Sequence, residues 1–261
     1  MNTRGSGLEP MPMRFLLAEN GDLEKAWARW AVTSAWRQEM TADHILSIPH
    51  HSFDQIKKHY KHCFHLSDHD GRLTYYERPG KSDLASLRRE GIDKKQLLWH
   101  YIYCMEYLWQ VLQPRQEQKL TIIIDLEGVG MRDLVGDSVS FLKTTVGMMA
   151  KHYPQRSFKI LILNAPSFFN SIFSLVKPML NENTKKKIDV VPPHNMALEM
   201  LKTIPAASLP PEYGGSCEVP LMESQAEINL AKHAKKIIEE SNTVASRGSG
   251  VPTQEVEGAP H

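Results

Sequence analysis

No run of about 18 uninterrupted apolar residues occurs in this 261-residue chain, so no membrane-crossing helix can be read from it. Cysteine is scarce. Cys63, Cys104 and Cys217 are odd in number and widely spaced, giving neither a disulfide framework nor a Cys-x-x-Cys metal motif. Excess charge is also missing: 31 Lys+Arg against 30 Asp+Glu leave a formal balance of +1, so no global field directs the protein to nucleic acid. Met1 to Met13 lacks the apolar core of a signal peptide, and no Asn-x-Ser/Thr acceptor or internal repeat occurs. A reducing, cytoplasmic setting is therefore expected. What is present is globular in kind, with 41% hydrophobic and 23% charged residues and a mean hydropathy of −0.38. That balance excludes disorder and coiled coil as descriptions of the whole chain.

Periodicity divides the chain. Asp22 caps a predicted helix in which Leu23, Ala26, Trp27 and Trp30 recur at three- and four-residue spacing, so both tryptophans are expected to be buried. A His-rich stretch follows, ending in the turn signal Asp68-His-Asp-Gly71 before the β-prone Leu73–Glu77. Asp93 to about Gln113 predicts a helix apolar on nearly all faces, which must be covered on most sides. Leu120–Leu126 and Phe158–Leu163 are continuously apolar, as strands buried on both faces are. With predicted helices over about 132–152, 167–180 and 194–202 and a strand over 188–191, the alternation predicts an α/β fold with a mainly parallel sheet. Residues 223–240 predict an amphipathic helix, and 241–261 a disordered tail.

Four motifs invite chemistry. Gly128-Val-Gly130 follows a strand, but Asp133 stands where a dinucleotide fingerprint needs its third glycine, and its carboxylate would repel a pyrophosphate. Asp125 and Glu127 are two apart on a strand and could serve as acid and base, although no nucleophile, Gly-x-Ser-x-Gly elbow or metal set accompanies them. His59, His62 and Cys63 would share one face of a helix and suit zinc or copper, yet polar surface histidines need no such role. The bland reading is preferred in each case, so no catalytic residue, metal or cofactor is predicted. Thr184-Lys-Lys-Lys-Ile188 is a solvated helix end or a contact for anionic lipid headgroups, each lysine contributing about 1 kcal/mol near such a surface. Beside it, Phe168, Phe169, Ile172, Phe173, Leu175 and Val176 cover more of a helix than a surface position requires.

The ordered series Arg14-Phe-Leu16, Asp22-Leu-Glu-Lys-Ala26, Asp68-x-Asp-Gly-Arg72 with Tyr75, Asp125-Leu-Glu-Gly128, His152-Tyr-Pro154, Asn164-Ala-Pro166, Lys177-Pro178, Thr184-x-Lys-x-Lys-Ile188 and Leu209-Pro-x-Glu-Tyr-Gly-Gly215 resembles the CRAL-TRIO lipid-binding family, in its phosphatidylinositol/phosphatidylcholine-transfer branch. The resemblance implies an α/β sandwich whose sheet floors an apolar lipid pocket, with helices covering it and the helix after Asn164-Ala-Pro166 acting as a gate. It implies an abbreviated N-terminal helical lobe over 1–60, a lipid-binding domain over 61–216 and a C-terminal helix over 217–240. Holding a two-chain lipid means replacing a membrane environment worth about 0.8 kcal/mol per methylene, or about 25 kcal/mol for thirty of them.

The resemblance also implies roles for particular positions. Phe64, Tyr75, Leu120 and Ile122 occupy the positions at which the family's choline-lipid binders carry tyrosines and strand hydroxyls. Leu120 and Ile122 cannot donate to a phosphate. The phosphatidylinositol contacts fall at Glu19, Gln155 and Lys187, where the family has Arg, Glu and Lys, so the lysine alone is retained. Phe169, Ile172, Phe173 and Val176 are expected to complete the lining from the gate helix. The expected ligand is one phospholipid, phosphatidylinositol included, or a sterol- or tocopherol-like compound. The expected protein is a monomer that touches membranes peripherally and does not bind nucleic acid. The alternative is a phosphoinositide-sensing or protein-recruiting module that moves no lipid.

Overall fold

Strands that are apolar on both faces need cover on both, and the chain supplies it from helices drawn from either end. The computed structural model describes residues 10–248. In chain order the elements are α1 (Met13–Ala18), α2 (Leu23–Glu39), α3 (Phe53–His59), β1 (His62–Ser67), β2 (Leu73–Glu77), α4 (Leu84–Arg89), α5 (Lys94–Tyr107) and β3 (Leu120–Asp125). Then follow α6 (Gly136–His152), β4 (Ser157–Leu163), α7 (Phe169–Val176), α8 (Glu182–Lys185), β5 (Ile188–Val190), α9 (Met196–Thr203) and α10 (Gln225–Gly248). The strands form one sheet in the order β1-β2-β3-β4-β5, parallel except for the β1–β2 hairpin. This is the predicted α/β class.

Register sorts the side chains into two layers. Tyr75, Ile122, Ile160 and Ile188 align across four strands on one face. There Phe64, Tyr75 and Leu120 pack with Tyr101, Ile102, Met105 and Leu108, with Phe141 of α6 and with Leu230 of α10. On the other face Cys63, Tyr76, Ile123, Leu161 and Leu163 pack with Met200, Ile204, Leu209 and Tyr213. As its composition predicts, α5 is nearly all core: Leu97 and every residue from His100 to Tyr107 are buried. Truncating such side chains costs about 2–5 kcal/mol each.

Several expectations are corrected. The His-rich run is not helical through Cys63. Residues 62–67 form β1, because pairing His62 with Glu77 and Phe64 with Tyr75 buries both sides of a segment whose neighbours are polar. Of the two tryptophans on α2, Trp30 is buried against Phe15 at 5.0 Å, whereas Trp27 is 41% exposed, because α1 covers one flank only. Helix α7 stops at Val176 and passes into a single 3-10 turn, since Pro178 has no N–H to continue it. Helix α6 begins at Gly136, after a separate 3-10 turn over Met131–Leu134. Residues 241–248, expected as part of a disordered tail, continue α10, while the remainder of that expected tail lies outside the described residues.

The start of α10 solves the problem of the open edge at β1. Ser224 Oγ donates to the Phe64 carbonyl at 2.6 Å, and the Phe64 N–H donates to Glu227 Oε1 at 2.7 Å. Lys57 pairs with the same carboxylate at 2.7 Å. Backbone groups that would otherwise invite another strand are thereby occupied.

Helix α2 packs on α6 through Trp36, which stacks on His152 at 4.2 Å, while Thr33 Oγ1 lies 3.1 Å from His152 Nδ1. Burial, together with the cationic Lys151, Arg29 and Arg37, depresses the His152 imidazole to about 4. An unfolded histidine titrates near 6.5. Between those values the unfolded chain binds a proton that the folded chain refuses, so this contribution is intact above pH 6.5 and lost as pH falls toward 4. Urea unfolding at pH 7, 5.5 and 4.5 should show a stability loss that is shallower in His152→Gln. Parallel slopes for the two proteins would remove His152 from the account.

Candidate functional site

Two aromatic residues one helical turn apart present a common edge, and on α7 these are Phe169 and Phe173. Their rings stack with centroids 5.8 Å apart and 20° between planes. They face Ile188 and Val190 of β5 across an open cleft of about 460 Å³, rimmed by Asn170, Lys177, Glu182 and Lys185. Glu182 is already paired with Lys185 at 2.7 Å, which leaves Lys177 as the unbalanced charge of the rim. Ile172 and Val176, on the same helix, are buried.

The other predicted positions fall in two further places. Phe64, Tyr75 and Leu120 are at most 2% exposed and sit with Ile122 in the packed core beside α5, away from the α7 cleft. Gln155 and Lys187 do meet, across the amino ends of β4 and β5. Lys187 Nζ donates to the Ser157 carbonyl at 2.9 Å and to Gln155 Oε1 at 3.3 Å. Among the described residues no carboxylate pairs with Lys187, and burial, with Lys119 nearby, lowers its pKa. A half-buried ammonium held only by neutral acceptors is a ready partner for an anion. Glu19 is drawn elsewhere, to Arg29 at 2.7 Å, whose guanidinium also bonds the Lys151 carbonyl at 3.0 Å.

The structure does not bring the side chains of Asp125 and Glu127 together as a pair. Asp125 is 1% exposed, and its oxygens accept from the Glu127 N–H at 3.0 Å, Asn164 Nδ2 at 2.7 Å and the Tyr213 hydroxyl at 2.9 Å, with Arg78 at 3.4 Å. Glu127 instead pairs with Lys81 at 3.0 Å in solvent. Three of the sequence motifs therefore converge on one buried carboxylate. Gly128 (φ 86°) lies beneath Gly80, whose carbonyl a Cβ would approach to 3.0 Å, and a Cβ on Gly215 would lie 1.9 Å from the Leu209 carbonyl. Asp133 Oδ2 accepts from the Gly130 N–H at 2.8 Å, so this strand exit caps itself rather than a phosphate.

The predicted His59–His62–Cys63 face is dispersed. His59 bonds Glu90 at 2.8 Å, and His62 and Cys63 project from opposite faces of β1. Sequence reasoning missed Ile188 and Val190 as cleft walls and Lys177 at its rim, while Lys185 belongs to the lysine run read as a headgroup contact. The signal available was the alternation Ile188-Asp-Val190, but which helix would face that strand depends on sheet order.

A sequence model of the CRAL/TRIO domain matches residues 57–215. The Sec14 cytosolic factor of Schizosaccharomyces pombe is 30% identical over 216 residues, covering 80% of this chain and 74% of that protein. The phosphatidylinositol/phosphatidylcholine transfer protein SFH14 of Arabidopsis thaliana is 28% identical over 218 residues, covering 80% of this chain and 38% of that protein. The crystal structure of Sfh5 superposes with a TM-score of 0.61 over 87% of this chain and 80% of that one, at 17% identity. With its parallel sheet, its α7 cleft and the convergent Asp125, Asn164 and Tyr213 motifs, the chain belongs to the CRAL/TRIO domain family.

Proposed function

We propose that the chain binds one lipid beneath α7 and exchanges it at membranes, with no catalytic step of its own. The observation that carries this reading is the cleft walled by Phe169 and Phe173 on one side and Ile188 and Val190 on the other. Relatives named as phosphatidylinositol/phosphatidylcholine transfer proteins support it. A methylene is about the size of a water molecule, whose share of the liquid is about 30 Å³. Thirty of them need roughly 900 Å³ on that basis, against the 460 Å³ of the cleft. Loading a two-chain lipid thus requires α7 to move outward, the motion of a gate. The Lys187–Gln155 pair then receives the phosphate of an anionic headgroup, with phosphatidylinositol ahead of a sterol- or tocopherol-like ligand.

In this reading residues 61–216 hold the lipid, while the lobe over 1–60 and the helix over 217–240 support them. The protein works as a cytoplasmic monomer that meets membranes peripherally; among the described residues no helix is long and apolar enough to cross one. Lys177 and Lys185 at the rim are placed to meet anionic headgroups.

The test is transfer of fluorescent phosphatidylinositol between vesicles, together with extraction of the lipids that co-purify. Phe173→Asp sets a carboxylate against the acyl chains and should slow transfer at least about 100-fold, or ~2.7 kcal/mol. Phe173 is only half-buried, so its far-UV dichroism should stay unchanged. Unaltered transfer by this variant would remove α7 from the site. Vesicle binding by the wild type without net transfer would favour the sensing module.

A further inference from the structure

His100 and Cys104 lie four residues apart on α5, so they share a helix face, and β1 brings His62 against them. His62 Nε2 and His100 Nε2 are 3.0 Å apart, and Cys104 Sγ is 3.6 Å from the same His100 nitrogen. All three ligand atoms lie within 4.8 Å of one another. Each of the three residues is fully buried, at 1% exposure or less. Among the described residues this is the one grouping of three His, Cys or carboxylate side chains close enough to share an ion.

The geometry points to a buried copper(I) site with His62 Nε2, His100 Nε2 and Cys104 Sγ as its three ligands. Metal–nitrogen bonds of about 2.0 Å and a metal–sulfur bond of about 2.3 Å set ligand pairs about 3.3–3.5 Å (N···N) and about 3.5–3.7 Å (N···S) apart at tetrahedral to trigonal angles. The His100–Cys104 separation already satisfies this, and the two imidazoles need to part by about half an ångström. His62 can yield, because its Nδ1 is bonded to nothing. His100 is already braced: His50 Nε2 lies 2.8 Å from its Nδ1, so a metal-bound His100 donates its remaining N–H to His50.

Charge and coordination number select the ion. Two neutral imidazoles and one thiolate sum to −1, which a monovalent cation cancels and a divalent one overshoots in a core where uncompensated charge is expensive. Lys57 and Glu227, the charged groups that bear on Cys104, already neutralise each other. Structural zinc is almost always four-coordinate, and among the described residues no fourth His, Cys or carboxylate joins the set. Soft thiolate donors suit copper(I). On binding, the Cys104 S–H proton leaves to solvent as the S–Cu bond forms, with no change of oxidation state.

The experiment is anaerobic titration of the full chain with copper(I) held by bicinchoninate, followed by X-ray absorption at the copper edge. One equivalent per chain is expected, with one sulfur and two nitrogen neighbours. Cys104→Ser and His62→Gln should each lose that equivalent while keeping the wild-type dichroism, and Cys217→Ser should retain it. His50→Ala should weaken binding about 10–100-fold. No uptake by folded wild type, or undiminished uptake by either folded ligand variant, overturns the site. Should Cys104→Ser and His62→Gln both fail to fold, the absorption spectrum of the wild type decides, and a copper neighbour set without one sulfur and two nitrogens overturns the assignment. Preferential retention of one zinc ion with the same ligands overturns the choice of copper. Lipid transfer plays no part in these readouts.

Discussion

Glu106→Ala should lower the unfolding free energy by about 3–5 kcal/mol, the cost of stranding one member of a buried ion pair. Glu106 is 1% exposed on α5. Arg37 of α2 donates to both of its oxygens, at 2.8 and 2.9 Å, the fork geometry that makes Arg–carboxylate pairs strong. The Tyr153 hydroxyl and Gln110 Nε2, the latter at 2.8 Å, complete its coordination. Arg14 depends on the same charge: burial and Arg37 depress its guanidinium to about 10, and Glu106 opposes that shift. One carboxylate thus compensates two cations that tie the N-terminal helices to the sheet domain. Glu106→Gln keeps one acceptor oxygen and the volume and should lose less than the alanine variant. Equilibrium denaturation measures both, and a loss under 1 kcal/mol in Glu106→Ala would show that the lobe is held by packing alone.

Asp125→Ala should cost about 2–4 kcal/mol, somewhat less because Arg78 keeps Glu127 at 3.9 Å and Glu212 at 3.8 Å. What it strands are the half-buried Asn164 amide and the buried Tyr213 hydroxyl, which have no second side-chain acceptor among the described residues. The damage should therefore be local as well as global. Asn164 holds a left-handed backbone (φ 50°) at the exit of β4, just before α7, and Tyr213 anchors the 209–215 turn. Hydrogen exchange should show lost protection in both segments, beyond what the change in global stability predicts. Exchange that rises uniformly over the whole sheet would contradict the role of Asp125 as a local tie. Because α7 follows Asn164 directly, the same variant should also alter the rate of lipid exchange, whereas Glu106→Ala, seated on the far side of α5, should leave it unchanged in the folded fraction.

Much of the architecture could be read along the chain. The apolar runs at 120–126 and 158–163 could only be strands covered on both sides, and the all-round apolar pattern of α5 required central burial. These are local signals, set by side-chain period and composition. The His-rich run misled because its character is not local. Residues 62–67 become a strand through pairing with β2, and their open edge is closed by Ser224 and Glu227, some 160 positions away.

The site divides in the same way. Phe169 and Phe173 were identifiable as helix positions too apolar for a plain surface, and Lys187 as a retained cation. That Phe64, Tyr75 and Leu120 pack solidly while Ile188 and Val190 wall the cleft followed from which helix lies over which strand. Sequence alone determined the alternation of elements, the family and the apolar character of α7, because each rests on neighbours within a few turns or on an ordered set of motifs. Tertiary structure alone decided that Asp125 ties Asn164 and Tyr213 to the end of β3, and that His62 meets His100 and Cys104 rather than His59. Those outcomes depend on contacts between residues tens of positions apart, whose spacing in the chain carries no trace of their distance in space.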